Sequence, residues 1–248
     1  MLIDTKPLTI FCFPCAGASA ASYIRWRKTL PDWISVEPVE PPGRGARIAE
    51  PLIDDYASLV DRLTDELAGA LPTNYVFFGH SMGALLAYGC AHRLRDRRER
   101  GARALILACC AAPTRRDEER LARLQTDAAL LEELKDLNGT PTYVFEHPEL
   151  LRLTLDILRA DFGVCSSFRR FERAPLDLDL HIFGGVDDEI EEDRLTAWSL
   201  ETSAATTLEM LDGGHFVIRD RESEFLARLR YVLRGVAPAE RESRPAFS

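Results

Sequence analysis

The sequence has no excess of positive charge. Its 31 Lys and Arg face 40 Asp and Glu, a formal charge of −9. Phosphate binding depends on a basic surface, so nucleic acid is excluded as a general partner. Long hydrophobic runs are also missing: the longest reach only about ten residues, where a membrane span needs roughly 20. The start, "MLIDTKPLTIF", lacks a basic segment followed by an apolar one and a cleavage site. A cytoplasmic protein without a membrane anchor is therefore expected. The six cysteines include no second Cys/Cys or Cys/His pair at metal-ligand spacing, so no metal is expected. No internal repeat is visible.

What is present suits one large domain. Apolar residues make up 46% of 248 positions, enough for a full core, and charged residues 29%. Short apolar runs alternate with amphipathic ones. "LTIFCF" (8–13), "ISVEPV" (34–39), "YVFFG" (75–79), "ALILACC" (104–110), "LDLHIFGG" (178–185) and "TTLEML" (206–211) read as buried strands. "YASLVDRLTDELAGAL", "GALLAYGCAHRL" and "RESEFLARLRYVL" carry helical spacing. Such alternation predicts a mostly parallel sheet with helices on both faces, an α/β fold over residues 1–235. From about 114 to 168 the rhythm fails. Leu130, Leu131, Leu134, Leu151, Leu155 and Leu158 recur at helical spacing with no strand between, which predicts an inserted helical lid. The tail, 236–248, is rich in Pro, Ala and charge and is expected to be disordered.

One pentapeptide carries chemistry. Gly79-His80-Ser81-Met82-Gly83 fits G-x-S-x-G, a match that chance supplies in about one chain in ten. Its position is more telling, because an apolar strand precedes it and an apolar helix follows. A turn that tight lifts the serine hydroxyl above the sheet, at a helix N-terminus that favours developing anions. Ser81 is thus the candidate nucleophile, and it needs a base. His80 belongs to the turn, His92 to the next helix, His147 to the insertion and His181 to a strand. His215, in "LDGGHFV" after the last strand, occupies the place where an α/β-hydrolase keeps its base, in the order serine, acid, histidine. The acid falls in "HIFGGVDDEI". Counting from Gly185 favours Asp188, and counting from Gly184 leaves Asp187 open.

Acyl transfer also needs donors for an oxyanion. The N–H of Met82, directly after the nucleophile, is one. The second is expected in the small-residue loop "FPCAGAS", at Ala16 with Cys15 as the alternative. The strand end and that loop together spell "CFPC", Cys12 to Cys15, a spacing used by thioredoxin-like redox sites. Here a backbone-donor loop is the better account, with Cys12, Cys90, Cys109 and Cys110 read as core residues. The basic run from His92 to Arg103 reads as a solvated helix end.

Several segments occur together and in order: "FCFPCAGASAASY", "PPGRGAR", "VFFGHSMGALLAY", "ACCAAP", "LKDLNGTP", "LRADF", "FGGVDDEI", "AWSLET" and "LDGGHFVIRD". Over roughly residues 8 to 233 the chain resembles the type II thioesterases that accompany polyketide synthases and nonribosomal peptide synthetases. It is also similar to the medium-chain thioesterase of animal fatty-acid synthesis. The resemblance implies an α/β-hydrolase fold with a lid, and hydrolysis of acyl groups from the phosphopantetheine arm of acyl or peptidyl carrier proteins. No cofactor of the enzyme's own is implied, and nothing requires more than a monomer. The family's nucleophile, acid and base fall on Ser81, Asp188 and His215, and its oxyanion donors on Met82 and Ala16. Two departures lie near the expected entrance. The usual F-P-x-A-G-G, often with histidine at x, has Cys15 there and ends in Ala18. The usual P-G-R-E-x-R reads Pro42-Gly43-Arg44-Gly45-Ala46-Arg47. A general carboxylesterase and a non-catalytic carrier-binding protein are the competing readings.

Overall fold

β1, Leu8–Phe13, is buried at every position, as a strand covered on both faces must be. In this computed structural model, which describes residues 8–117, 126–136, 140, 142–170 and 172–238, it pairs with two neighbours. One is β2, Ile34–Pro38, and the other is β3, Tyr75–His80. β4 (Ala104–Ala108), β5 (Asp179–Gly185) and β6 (Thr206–Leu211) extend the sheet. The order is β2-β1-β3-β4-β5-β6, and every pairing is parallel. This is the α/β architecture expected from the strand–helix alternation.

Alternating side chains divide the core in two. Phe11, Phe13, Tyr75, Phe77, Leu105 and Ile182 pack on one side of the sheet. Their cover is α2, Tyr56–Ala68, and α3, Met82–Asp96. Ile10, Cys12, Val76, Phe78 and Ile106 pack on the other side. There they meet α1, Trp26–Thr29, and α9, Glu222–Val236.

The helices follow their sequences. Asp55 caps α2, its carboxylate accepting the N–H of Ser58 at 2.8 Å, worth about 1 kcal/mol. Tyr56, Leu59, Val60, Leu63 and Leu67 then form its buried stripe. Each fully buried large apolar side chain contributes about 1.5–3 kcal/mol. β4 stops short of the expected 104–110. Cys109 takes a positive φ of 50°, which turns the chain out of the sheet two residues early.

Between β4 and β5 the described residues contain no strand. They form α4 (Asp127–Asp136), α5 (Thr142–Glu146) and α6 (Pro148–Ser167). Leu130, Leu134, Leu158 and Phe162 make a small core of their own there, with Leu151 and Leu155 against it. Two short helices, α7 (Glu192–Thr196) and α8 (Val217–Asp220), follow β5 and β6. α9 runs to Val236, and 239–248, most of the expected disordered tail, lie outside the described residues. Among the described residues no helix is long and apolar enough to cross a membrane.

Candidate active site

Where β3 ends, Gly79 and Gly83 allow two backbones to pass almost in contact. A Cβ on Gly79 would lie 2.2 Å from the Gly83 carbonyl oxygen, and one on Gly83 only 2.1 Å from that of Phe13. Between them Ser81 takes φ 53° and ψ −117°, a conformation costly for a residue with a side chain and one that recurs at functional sites. Its N–H is held by the Ala108 carbonyl of the neighbouring strand at 2.8 Å. The hydroxyl therefore stands at the N-terminus of α3, which is 15 residues long and presents partial positive charge.

Two other strand ends deliver the partners. The loop after β6 carries His215, and its Nε2 accepts from the Ser81 hydroxyl at 3.0 Å. The turn after β5 carries Asp188. His215 Nδ1 donates to the Asp188 carboxylate, at 3.0 Å from Oδ2 and 3.3 Å from Oδ1. The Asp188 side chain is 3% exposed, whereas Asp187 is exposed and gives its backbone N–H to the Gly213 carbonyl. Burial works against charge on Asp188. The hydrogen bond and charge of His215 outweigh it, with help from the Ile190 N–H, and hold the carboxyl below its ordinary range.

The Met82 N–H opens α3 and so has no partner within the helix. On the facing side the loop after β1 forms a turn in which the Ala18 N–H bonds to the Cys15 carbonyl at 3.1 Å. That bond does not use the N–H of Ala16. Ser81, Met82, Ala16, His215 and Asp188 all line one cavity of about 130 Å³, with Leu85, Phe162 and Cys165 on its apolar wall. Backbone donors beside a serine hydroxyl that is hydrogen-bonded to an imidazole backed by a carboxylate can support acyl transfer.

The remaining histidines and cysteines have structural surroundings. His80, read from the sequence only as part of the turn, is buried, and its Nε2–H donates to the His215 carbonyl at 2.8 Å. Burial, and then the nearby His215 charge, lower it to about 3, so it is a neutral donor that steadies the His215 loop. Nothing in the sequence marks that bond, which spans 135 positions. All six cysteines are free and buried. Cys12 belongs to the core cluster that includes Trp26 and Phe225 and does not line the cavity, whereas Cys15 does. Burial and the Asp161 charge push the Cys15 thiol up to about 12, far from the range of a reactive thiolate.

With the geometry in place, similarity to other proteins adds its weight. The model of the thioesterase domain family matches residues 8–231. A relative from Brevibacillus parabrevis, "linear gramicidin dehydrogenase LgrE", is 36% identical over 228 residues, covering 90% of this chain and 87% of that one. That protein carries the name of a dehydrogenase, but the family model is that of a thioesterase domain. ClbQ, from the colibactin NRPS/PKS pathway, superimposes with a TM-score of 0.86 at 28% identity, over 93% of this chain and 98% of its own. RedJ, a thioesterase from the prodiginine pathway of Streptomyces coelicolor, gives 0.83 at 32% identity, over 91% and 90%.

Proposed function

Since the chain belongs to the thioesterase family, and is thus a hydrolase acting on thioesters, we propose that it is a type II thioesterase working through Ser81, His215 and Asp188. Its substrates are acyl groups on the phosphopantetheine arm of carrier proteins in a nonribosomal peptide or polyketide system. The observation that carries the reading is His215, hydrogen-bonded at 3.0 Å to Ser81 on one side and to Asp188 on the other.

In this mechanism Ser81 Oγ attacks the thioester carbonyl carbon as its proton passes to His215 Nε2. Asp188 keeps the proton of His215 on Nδ1 and stabilises the imidazolium that forms. The carbonyl oxygen, now an anion, rests on the N–H groups of Met82 and Ala16. The C–S bond then breaks, and the departing thiolate takes the proton from His215. A water molecule, deprotonated by the same ring, attacks the acyl-serine ester and frees the acid and Oγ.

Two features support a tethered thiol as leaving group. A second groove, of about 660 Å³, abuts the cavity and shares Cys15 and Phe216 with it. It is bordered by Arg25, Lys28 and Arg219, with Glu222 bonded to Arg25. A long polar arm ending in a phosphodiester suits such a groove. The insertion, with α6 along the acyl side, is the proposed lid. A fluorophosphonate probe tests the nucleophile. We expect one adduct, on Ser81, formed far more slowly in His215→Ala. Full adduct formation in Ser81→Ala would refute the assignment.

A further inference from the structure

Outside the relay, a charged pair is buried behind the loop that follows β1. Asp161, on α6, has a fully enclosed side chain, and that of Arg44, in the segment after β2, is 3% exposed. The guanidinium grips the carboxylate with both Nη atoms, each 2.5 Å from one oxygen. The same Oδ2 accepts the N–H of Gly17 at 2.7 Å, and Arg44 Nη1 donates to the Ala18 carbonyl at 3.3 Å. Taking two charges out of water is expensive, and apolar replacements of such pairs commonly leave a protein equally stable or more so. Stability alone is a weak reason for the pair to be there.

What the pair holds is the turn that carries Ala16. With the Ala18 N–H on the Cys15 carbonyl and Gly17 third at φ +75°, the turn has the type II pattern. Type I differs chiefly by a flip of the peptide between the second and third residues, here Ala16 and Gly17. Asp161 accepts the N–H of that same peptide, so a flip would break the bond. Leu158, three residues earlier on α6, lies 2.9 Å from where a Gly17 Cβ would stand, so a side chain at Gly17 would have to displace it.

We propose that Arg44 and Asp161 are positioning residues. They pin the Ala16–Gly17 peptide and the Ala18 carbonyl, and so seat the turn from Cys15 to Ala18 whose first peptide carries the Ala16 N–H that faces the oxyanion. Because Asp161 lies on α6, they also tie that donor to the seating of the inserted helices. The inference rests on the reading of Ala16 as an oxyanion donor given above.

The test replaces the pair as a unit, Arg44→Met with Asp161→Leu, so that neither charge is left buried alone. Butylboronic acid serves as the probe, because its tetrahedral adduct with Ser81 places an oxygen where the oxyanion forms. The double variant should fold, lose about 10- to 100-fold in kcat on an acyl-carrier protein, and keep KM within about twofold. Boronate affinity should fall by the same factor as kcat, while the pH profile of kcat/KM stays put because His215 and Asp188 are untouched. Asp161→Asn, which keeps one acceptor, should fall between, and it carries the test if the double variant does not fold. A loss of active enzyme with unchanged boronate affinity in what remains would make the pair merely structural and overturn the proposal. So would a wild-type kcat in the double variant beside an inactive Ser81→Ala. A wild-type enzyme that leaves the acyl-carrier intact, or an active Ser81→Ala, would overturn the reading of the site itself, and this inference with it.

Discussion

Asp187 and Asp188 are adjacent and chemically identical, but only one carboxylate reaches His215. The Gly185-to-Asp188 turn, closed by the Asp188 N–H on the Gly185 carbonyl at 3.2 Å, points the second carboxylate back over the sheet. Asp188→Asn removes the acceptor that holds the imidazole tautomer. It should cost about 10³- to 10⁴-fold in kcat with little change in KM, whereas Asp187→Asn should stay near wild type. Steady-state kinetics on one acyl-carrier substrate separates the two. His92 offers a test of a different kind. Its ring is fully buried against Tyr88, with neither nitrogen hydrogen-bonded. Burial, then the charges of Arg173 and Arg95, lower it to about 3. The unfolded chain binds this proton more readily than the native one, so the protein loses stability as pH falls from the ordinary histidine range toward 3. The slope is at most about 1.4 kcal/mol per pH unit from this residue. His92→Phe, of similar shape, should flatten that decline in urea unfolding measured at pH 7 and pH 5. At this scale the meeting of Ser81, Asp188 and His215 was legible because their order along the chain is itself a signal. Arg44 and Asp161 were not, since a pair 117 positions apart reads in sequence as two ordinary surface charges.

Among the elements, the strands were the most legible, because burial on both faces leaves short unbroken apolar runs. The exception was the end of β4. "ALILACC" is apolar throughout, and only the positive φ of Cys109, invisible in composition, takes the chain out of the sheet. The elbow between β3 and α3 is the tightest joint in the site. A Cβ on Gly83 would strike the Phe13 carbonyl oxygen, which belongs to the strand and cannot swing away. Gly83→Ala should therefore cost about 3 kcal/mol or more, seen as a large drop in thermal midpoint or a loss of soluble protein. The end of β1 and the loop after it make the opposite prediction for their cysteines. Cys12 and Cys15 are both buried, and their thiols are shifted upward. A Cys12→Ser/Cys15→Ser enzyme should keep most of its activity in a thiol-release assay, and complete loss would revive a redox role.

The whole molecule is acidic, and much of its positive charge is already spoken for. In the basic run that ends α3 and follows it, Arg93 pairs with Asp61 and Arg97 with Asp65, both on α2. The groove that abuts the Ser81 cavity carries Arg25, Lys28 and Arg219, with Arg25 on Glu222 and Arg219 on Asp220, and its position beside the cavity makes it the proposed approach for a carrier. The cavity at Ser81, about 130 Å³, is close to the 150 Å³ that admits a benzene ring. Short acyl units should therefore be cleared faster than a ten-carbon chain, by kcat/KM on a matched series of loaded carriers. The central claim is that Ser81 hydrolyses a thioester presented on a carrier, and its most direct test is the intact mass of butyryl-loaded carrier protein after incubation with the enzyme. Wild type should return the carrier to its free-thiol mass, and Ser81→Ala should leave the butyryl group in place. A butyryl-carrier that survives the wild-type enzyme, or is cleared equally by Ser81→Ala, would contradict the account.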